Sequence, residues 1–284
     1  MSGTLLSIGH GYCAAALAER LVPEGWRIIG TSRSAGRLES LAAHGVEPVL
    51  WPGTALAPLL VQATHVLSSI APEDDGDPIL ATEGAALAAA PVRWVGYLST
   101  TGVYGDHGGG WVDEDTPLTP STRRGQARVR AEQEWQALPL PLHIFRLAGI
   151  YGPGRGPFEK VRDGTARRIV KPGQVFSRIH VDDIAQALHA SMNAPAPGAV
   201  YNICDDDPAP PEDVLSYAAR LMGLPEPLSE DWDTAPMSPM ARSFYAESKR
   251  VRNDRMKRDL GVRLIHPDYR AGLANLLEAE AWLD

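Results

Sequence analysis

The chain is predicted to form an α/β fold, a doubly wound parallel sheet followed by a smaller C-terminal lobe. Three observations predict it. Apolar strand-like runs alternate with Ala- and Leu-rich helical segments through the first half. The first strand–helix junction is rich in glycine, and after Leu147 the alternation gives way to segments punctuated by Pro and Gly. Alternation at this spacing places strands in parallel with helices on both faces. A length of 284 residues suffices for a sizeable core. The expected division is a first domain over 1–148 and a second lobe, interleaved with the sheet, over 149–284.

The first strand, Leu5–Ile8, runs into Gly9, His10, Gly11, Tyr12 and Cys13, and a helical segment continues to Leu21. Gly9 permits a tight turn, Gly11 lets a ligand approach the backbone, and Ala14 is small enough for the helix to lie close to the strand. The free N–H groups at the helix start then face an anion. This is the Rossmann-type turn that holds a dinucleotide pyrophosphate. The next strand, Arg27–Gly30, leads into Thr31, Ser32, Arg33 and Ser34. An NAD site usually carries Asp or Glu about 20 residues past the first glycine, and none stands here. Thr31 and Ser32 offer hydroxyls, while Arg33, with Arg37 nearby, offers a planar fork for a phosphate. The expected cofactor is therefore NADP, with NAD the less favoured choice. Ser69 and Ser99 join the turn residues in the expected cofactor set.

Strands over Glu47–Leu50, His65–Ile70, Val92–Leu98 and Leu142–Leu147, with a helix over Ala81–Ala90, complete the first half. Beyond it the pattern predicts a strand at Val175–Ile179, with Asp182 capping a helix over Asp183–Met192. A strand over Val200–Ile203 and a helix over Glu212–Met222 come next. An irregular Pro-rich stretch, Leu224–Pro239, precedes two closing helices, Ser248–Leu260 and Asp268–Leu283.

Hydrophobic content of 44% and charged content of 22% fit a soluble globular protein. A net charge of −8 argues against nucleic acid and anionic membranes as partners. No apolar run approaches the ~18 residues of a membrane span, and the N-terminal residues enter a strand directly, so no signal peptide is expected. Cys13 and Cys204 lie far apart and lack metal-ligand spacing, and Asp182 and Asp183 read as helix-capping residues. A cytoplasmic location and no metal are expected.

Further motifs follow in order: Leu98-Ser99-Thr100-Thr101-Gly102-Val103-Tyr104-Gly105, Arg146-Leu147-Ala148-Gly149-Ile150-Tyr151-Gly152-Pro153-Gly154, and Arg178-Ile179-His180-Val181-Asp182-Asp183-Ile184-Ala185. With the Gly9 turn, they make the chain resemble the extended and atypical short-chain dehydrogenase/reductases, the group that includes the NAD-dependent epimerase/dehydratases. Within it the chain is most similar to a bacterial branch with a Gly-x-Gly-Tyr turn. The resemblance spans nearly the whole chain and implies a catalytic Ser or Thr, a Tyr and a Lys. Thr100 stands at the Ser/Thr position. Counting back from Glu132 puts Arg128 at the Lys position and Arg124 at the Tyr position.

That departure shapes the chemistry. A guanidinium has a pKa above 12 and no acceptor, so it cannot replace the proton-shuttling phenol. Arg128 is expected to hold the nicotinamide ribose or a phosphate, and Arg124 to bind an anionic substrate or polarise its carbonyl. Tyr104, Tyr151 and His180 are candidates for the missing proton carrier, with His107 a weaker one. Thr101, Tyr151, Arg178 and His180 are expected on the substrate side. Residues 241–250 read as a solvated helix entry, with the far side of the pocket as the less favoured alternative. Three functions stay open: an NADP-dependent oxidoreductase acting on a small anionic carbonyl or hydroxyl compound, a sugar-nucleotide epimerase or dehydratase, and a non-catalytic NADP-binding sensor or structural protein. The expected partners are a small-molecule substrate and, from the family resemblance, a second copy in a homodimer.

Overall fold

A computed structural model describes residues 2–281. Its main sheet contains β1 (Thr4–Ile8), β2 (Arg27–Ser32), β3 (Val46–Leu50), β4 (His65–Ser68), β5 (Trp94–Thr100), β6 (Leu142–Leu147) and β7 (Val200–Ile203). The spatial order is β3-β2-β1-β4-β5-β6-β7, and every pairing is parallel. The chain starts at the centre, winds outward to β3, then returns to β4. The reversal between β1 and β4 opens a crevice at the carboxyl ends of the strands, where α/β sheets bind ligands.

The inner strands bury both faces, as a parallel sheet requires, while the edge strand β3 is largely exposed. Leu5 turns to one side and joins Leu17 and Leu21 of α1 (Tyr12–Leu21). Its neighbour Leu6 turns to the other and joins Ile79 and Leu87 of α2 (Pro78–Ala88) and Trp135 of α3 (Arg123–Gln136). Leu5, Leu6, Leu17, Ile79 and Trp135 are buried, and each such side chain contributes roughly 1.5–3 kcal/mol of transfer free energy. α4 (Val181–Asn193) packs beside α1 through Ile184 and Leu188. A separate core, formed by Tyr151, Phe158, Tyr269, Leu273 and Leu276 with Ala218 of α5 (Pro211–Leu221), holds the smaller lobe together. α6 (Tyr269–Ala281) closes the described chain.

Several sequence expectations need correction. The strand expected at Val175–Ile179 lies at Arg178–His180, paired with Gly149–Tyr151. The Val175 and Phe176 amides bond Ser248 Oγ and the Ala209 carbonyl instead. Helix α4 is capped by His180, whose Nδ1 accepts from the Asp182 N–H at 3.2 Å, not by the Asp182 side chain. The helix expected over Ser248–Leu260 starts only at Asp254. Before it, Arg250–Val251 pairs with Trp111–Val112, drawn by amide bonds from Arg250 and Arg252 to the carbonyls of Gly110 and Val112. Within the stretch expected to be irregular, Ser229–Asp231 pairs with Arg168–Val170. Leu283, the expected end of the last helix, lies outside the described residues. No helix among the described residues is long and apolar enough to cross a membrane.

Candidate functional site

The glycine turn sits at the β1/β4 reversal. Gly9 has φ +77°, and a Cβ there would lie 2.6 Å from Ile70 Cγ1, so both conformation and space require glycine. The Gly9 N–H donates to Thr31 Oγ1 at 2.8 Å and the His10 N–H to the Thr31 carbonyl at 2.8 Å. Thr31 thus fixes the turn to the end of β2. The His10 ring is buried, 3.0 Å from Ser7 Oγ through Nδ1. Burial, aided by the nearby Arg37 charge, pushes its pKa down to about 4. Gly11 caps α1 without a side-chain bond, and no acid stands in the first helical turn. The N–H groups of that turn, with the positive end of the helix dipole, face outward.

Beside the turn, Ser68 at the end of β4 and Ser69 just after it have buried hydroxyls with no hydrogen-bond partner among the described residues. The Ser69 N–H holds them to the Ile8 carbonyl at 2.9 Å. Unsatisfied buried hydroxyls call for a partner from outside the chain. Their position next to an open helix start fits a phosphate-bearing dinucleotide. Ser32 forms a small turn with Ser34, and Arg33 and Arg37 stand exposed at the far end of this surface.

Past Arg155, which lies over Tyr12, is a cleft of about 1360 Å³ between the sheet and the small lobe. Thr100, Thr101, Arg124, Arg128, Tyr151 and Arg178 line it. Thr100 ends β5, and its Oγ1 accepts from the Gly102 N–H at 3.1 Å. No acceptor for the Thr100 hydroxyl proton lies within hydrogen-bond distance among the described residues. Arg128 donates through Nη1 to the Tyr97 hydroxyl and the Leu98 carbonyl, each at 2.9 Å. Arg124 reaches across to Ser243 Oγ at 3.2 Å and lies 4.9 Å over the Phe244 ring. Arg178 donates to the carbonyls of Phe176 and Ala209, both at 2.9 Å. Burial pushes nearby Asp205 up to about 8, against the pull of Arg178.

Other expected residues lie elsewhere. Ser99 is buried behind the cleft and donates to Glu132 Oε1. Glu132 also takes a two-pronged bond from Arg146, Nη2 to Oε2 at 2.8 Å and Nε to Oε1 at 3.2 Å. Tyr104 belongs to the same cluster. Its hydroxyl donates to Asn202 Oδ1 at 2.7 Å and accepts from Arg146 Nη1 at 2.9 Å, and burial pushes its pKa up to about 12. It does not reach the cleft. Tyr151 lines the cleft, but its hydroxyl donates away from it, to the Asp268 carbonyl at 3.4 Å. His107 bonds the Tyr104 carbonyl through Nε2 at 3.2 Å.

His180 is buried under α4, and burial followed by the His266 charge pushes it down to about 4. His180, Asp182 and His266 each bring one potential metal-ligating atom within 4.8 Å of the others. The His180 Nδ1 lone pair already accepts the Asp182 N–H, so the trio reads as a hydrogen-bonded helix cap.

Sequence reasoning ranked the opposite wall second. Residues 241–250 are not a solvated helix entry, since Ser243, Phe244, Glu247 and Lys249 line the cleft. Glu247 is held by Ser121 Oγ at 2.8 Å and by Lys249 Nζ at 2.9 Å, with little of either charged side chain exposed. Arg155 also lines the cleft. It directly follows the Gly152-Pro153-Gly154 motif, which is the signal that could have found it.

No protein-family profile matches the chain. Over 244 residues it is 30% identical to Protein YeeZ of Escherichia coli K12, spanning 78% of this chain and 84% of that protein. Over 299 residues it is 29% identical to a 3-diazoavenalumate denitrifying reductase of Streptomyces, spanning 95% and 93%. A solved structure of a conserved protein of unknown function from Silicibacter pomeroyi is 63% identical, covers 98% of this chain and 99% of that one, and superposes with a TM-score of 0.95. UDP-glucuronic acid 4-epimerase from Bacillus cereus, solved with UDP-glucuronic acid and NAD, shares the fold at 16% identity and a TM-score of 0.81, covering 99% and 100%. With its glycine turn, its sheet order and these relatives, the chain belongs to the atypical short-chain dehydrogenase/reductase family that includes the NAD-dependent epimerase/dehydratases.

Proposed function

We propose that the chain is an NADP-dependent oxidoreductase whose substrate is a small, anionic carbonyl or hydroxyl compound. One observation carries the reading. The glycine turn adjoins, through Arg155 stacked on Tyr12, a cleft where Thr100 stands among Arg124, Arg128 and Arg178, and none of the three has a carboxylate within 4.0 Å among the described residues. A cleft that concentrates unpaired guanidinium groups favours an anion.

The turn from Gly9 to Cys13, with Ser69, would hold the pyrophosphate side of the cofactor. Arg33 and Arg37 would take the 2′-phosphate, and Arg128 the nicotinamide ribose. When bound, the nicotinamide gives or accepts the hydride. Thr100 donates its free hydroxyl proton in a hydrogen bond to the substrate oxygen, and Arg124 neutralises charge on the same molecule. Tyr104 and His180 lie outside the cleft, and the Tyr151 hydroxyl points away from it. Water entering the open cleft therefore supplies the proton. No Tyr hydroxyl among the described cleft residues is directed into the cleft, which weighs against epimerase or dehydratase chemistry, since that needs a reversible proton shuttle. A homodimer is part of this proposal.

The test is a titration of the protein with NADPH, NADP, NADH and NAD, read by fluorescence or calorimetry, followed by an NADPH-consumption screen over keto acids and related carbonyl compounds. Tight NADPH binding is expected, with Arg33→Asp shifting preference toward NADH by about tenfold or more. Unchanged NADPH affinity in Arg33→Asp would remove the 2′-phosphate assignment. NADPH bound but never consumed would favour the sensor. Binding of none of the four would remove the oxidoreductase reading.

A further inference from the structure

The Gly152–Arg155 loop crosses the open end of α1, and it is seated there by fixed contacts. The Tyr12 hydroxyl donates to the Pro153 carbonyl at 2.9 Å. The Arg155 N–H closes a turn on the Gly152 carbonyl at 2.9 Å. Gly152 has φ +145°, and a Cβ there would lie 2.7 Å from the Tyr12 hydroxyl and 2.9 Å from Val181 Cγ1. A side chain at 152 would lift the loop away from the helix.

This seating puts the Arg155 guanidinium carbon 4.3 Å over the Tyr12 ring. Its charge is felt in the first turn of α1. Burial pushes the Tyr12 hydroxyl up to about 12 and the Cys13 thiol up to about 11, and in both cases Arg155 pulls the other way. No carboxylate pairs with Arg155 within 4.0 Å among the described residues. The start of α1 offers it nothing either, since Gly11 has no side chain and the first turn has no acid. A cation at a helix N-terminus stands at the repulsive end of the dipole. Two positive features thus face each other with no carboxylate within 4.0 Å of Arg155 among the described residues, the Asp182 and Glu19 charges reaching Tyr12 only from farther off. Such an arrangement becomes favourable when an external anion joins both.

We propose that Arg155 clamps the pyrophosphate of the dinucleotide from the side opposite α1, so that the cofactor is gripped by the sheet domain and the small lobe together. The proposal rests on the cofactor reading above. The planar fork of Arg suits a two-oxygen contact with phosphate, and the Tyr12 face keeps it oriented. A bound dinucleotide thereby ties the loop after Tyr151 to the first turn of α1.

The experiment is isothermal titration of the full chain and of Arg155→Ala and Arg155→Lys. The probes are NADPH, ADP-ribose (a pyrophosphate without nicotinamide or 2′-phosphate) and adenosine 2′-monophosphate (no pyrophosphate). Arg155 is exposed, so the variants keep the fold. Arg155→Ala is expected to weaken NADPH and ADP-ribose by about tenfold and to leave adenosine 2′-monophosphate unchanged, with Arg155→Lys in between. Equal ADP-ribose affinity in the wild type and Arg155→Ala would overturn the clamp and leave the cofactor reading standing. An equal loss for all three probes would overturn it as well, since the effect would then be general electrostatics. A wild-type chain that binds neither ADP-ribose nor any nicotinamide dinucleotide would bring down the cofactor reading and the clamp together.

Discussion

Helix α3 carries charge on two sides, and the two are treated in opposite ways. On the inner side Glu132 is 2% exposed and is met by Arg146, 5% exposed, and by Ser99, while Tyr104 and Asn202 complete the cluster. On the outer side Arg124 and Arg128 face the cleft and bond only hydroxyls and carbonyls. A buried charge is tolerable only when it is paired and fully hydrogen-bonded. A charge at a wet cleft can stay without a counter-ion until a ligand brings one. The pairing of a charge thus separates the side chains that hold the fold from those that await a molecule.

The comparison can be broken most directly at Arg146. Arg146→Met leaves Glu132 buried without its partner and should cost about 3–5 kcal/mol of stability in denaturant unfolding. Adding Glu132→Leu should recover most of that loss. A cost under about 1 kcal/mol for the single variant would mean that the inner pair is no more structural than the outer arginines.

Next in size is His180, a buried base kept neutral. Its folded-state pKa of about 4 lies below the ordinary 6.5, so between those values the unfolded chain binds more protons. Its contribution is complete above about pH 6.5 and is lost as pH falls toward 4, on the order of 2–3 kcal/mol in all. His180→Asn keeps a capping acceptor for α4 and should reduce the slope of stability against pH, leaving the share of His10 and His65, which burial also pushes down to about 4. An unchanged slope would assign the titration to other groups.

Thr100→Ala should lose about 1 kcal/mol, because Thr100 Oγ1 caps the turn at Gly102, and Thr100→Ser should restore it. Dinucleotide affinity should be unchanged in both, while hydride transfer falls in the alanine variant alone. Full turnover in Thr100→Ala would move the reacting centre elsewhere in the cleft. The smallest effect belongs to the outer side. Arg124→Ala should change stability by less than about 0.5 kcal/mol, and a larger loss would place Arg124 with the structural charges.

The sheet was legible because each strand is a short apolar run, and β6 and β7 fall at the expected residues. The turn at Gly9 was legible because its spacing and flanking pattern state a backbone requirement. Side-chain direction was not. Tyr104 and Thr100 lie four residues apart in one motif, yet one bonds Asn202 of β7 and the other lines the cleft. The extended backbone of β5 gives way after Thr100 to a 3₁₀ turn over Thr101–Tyr104, and the strand pattern cannot foretell that change of direction. The wall from Ser243 to Lys249 was equally hidden. Its polar composition is that of a solvated helix, and long-range contacts, Glu247 with Ser121 and Gln174 and Ser243 with Arg124 among them, turn it inward.

The late arrival of β7 has a consequence for biosynthesis. Through Leu147 the emerging polypeptide has six strands of the sheet, and β6, buried along its whole length in the finished fold, still lacks its outer neighbour. Translation proceeds at roughly 5–20 residues per second, so that edge waits seconds for Val200–Ile203 to leave the ribosome. An open strand edge is a template for pairing with other nascent chains. The first half therefore emerges as an unfinished unit that a chaperone has reason to cover, and a product stopped near residue 148 would carry the same edge without relief.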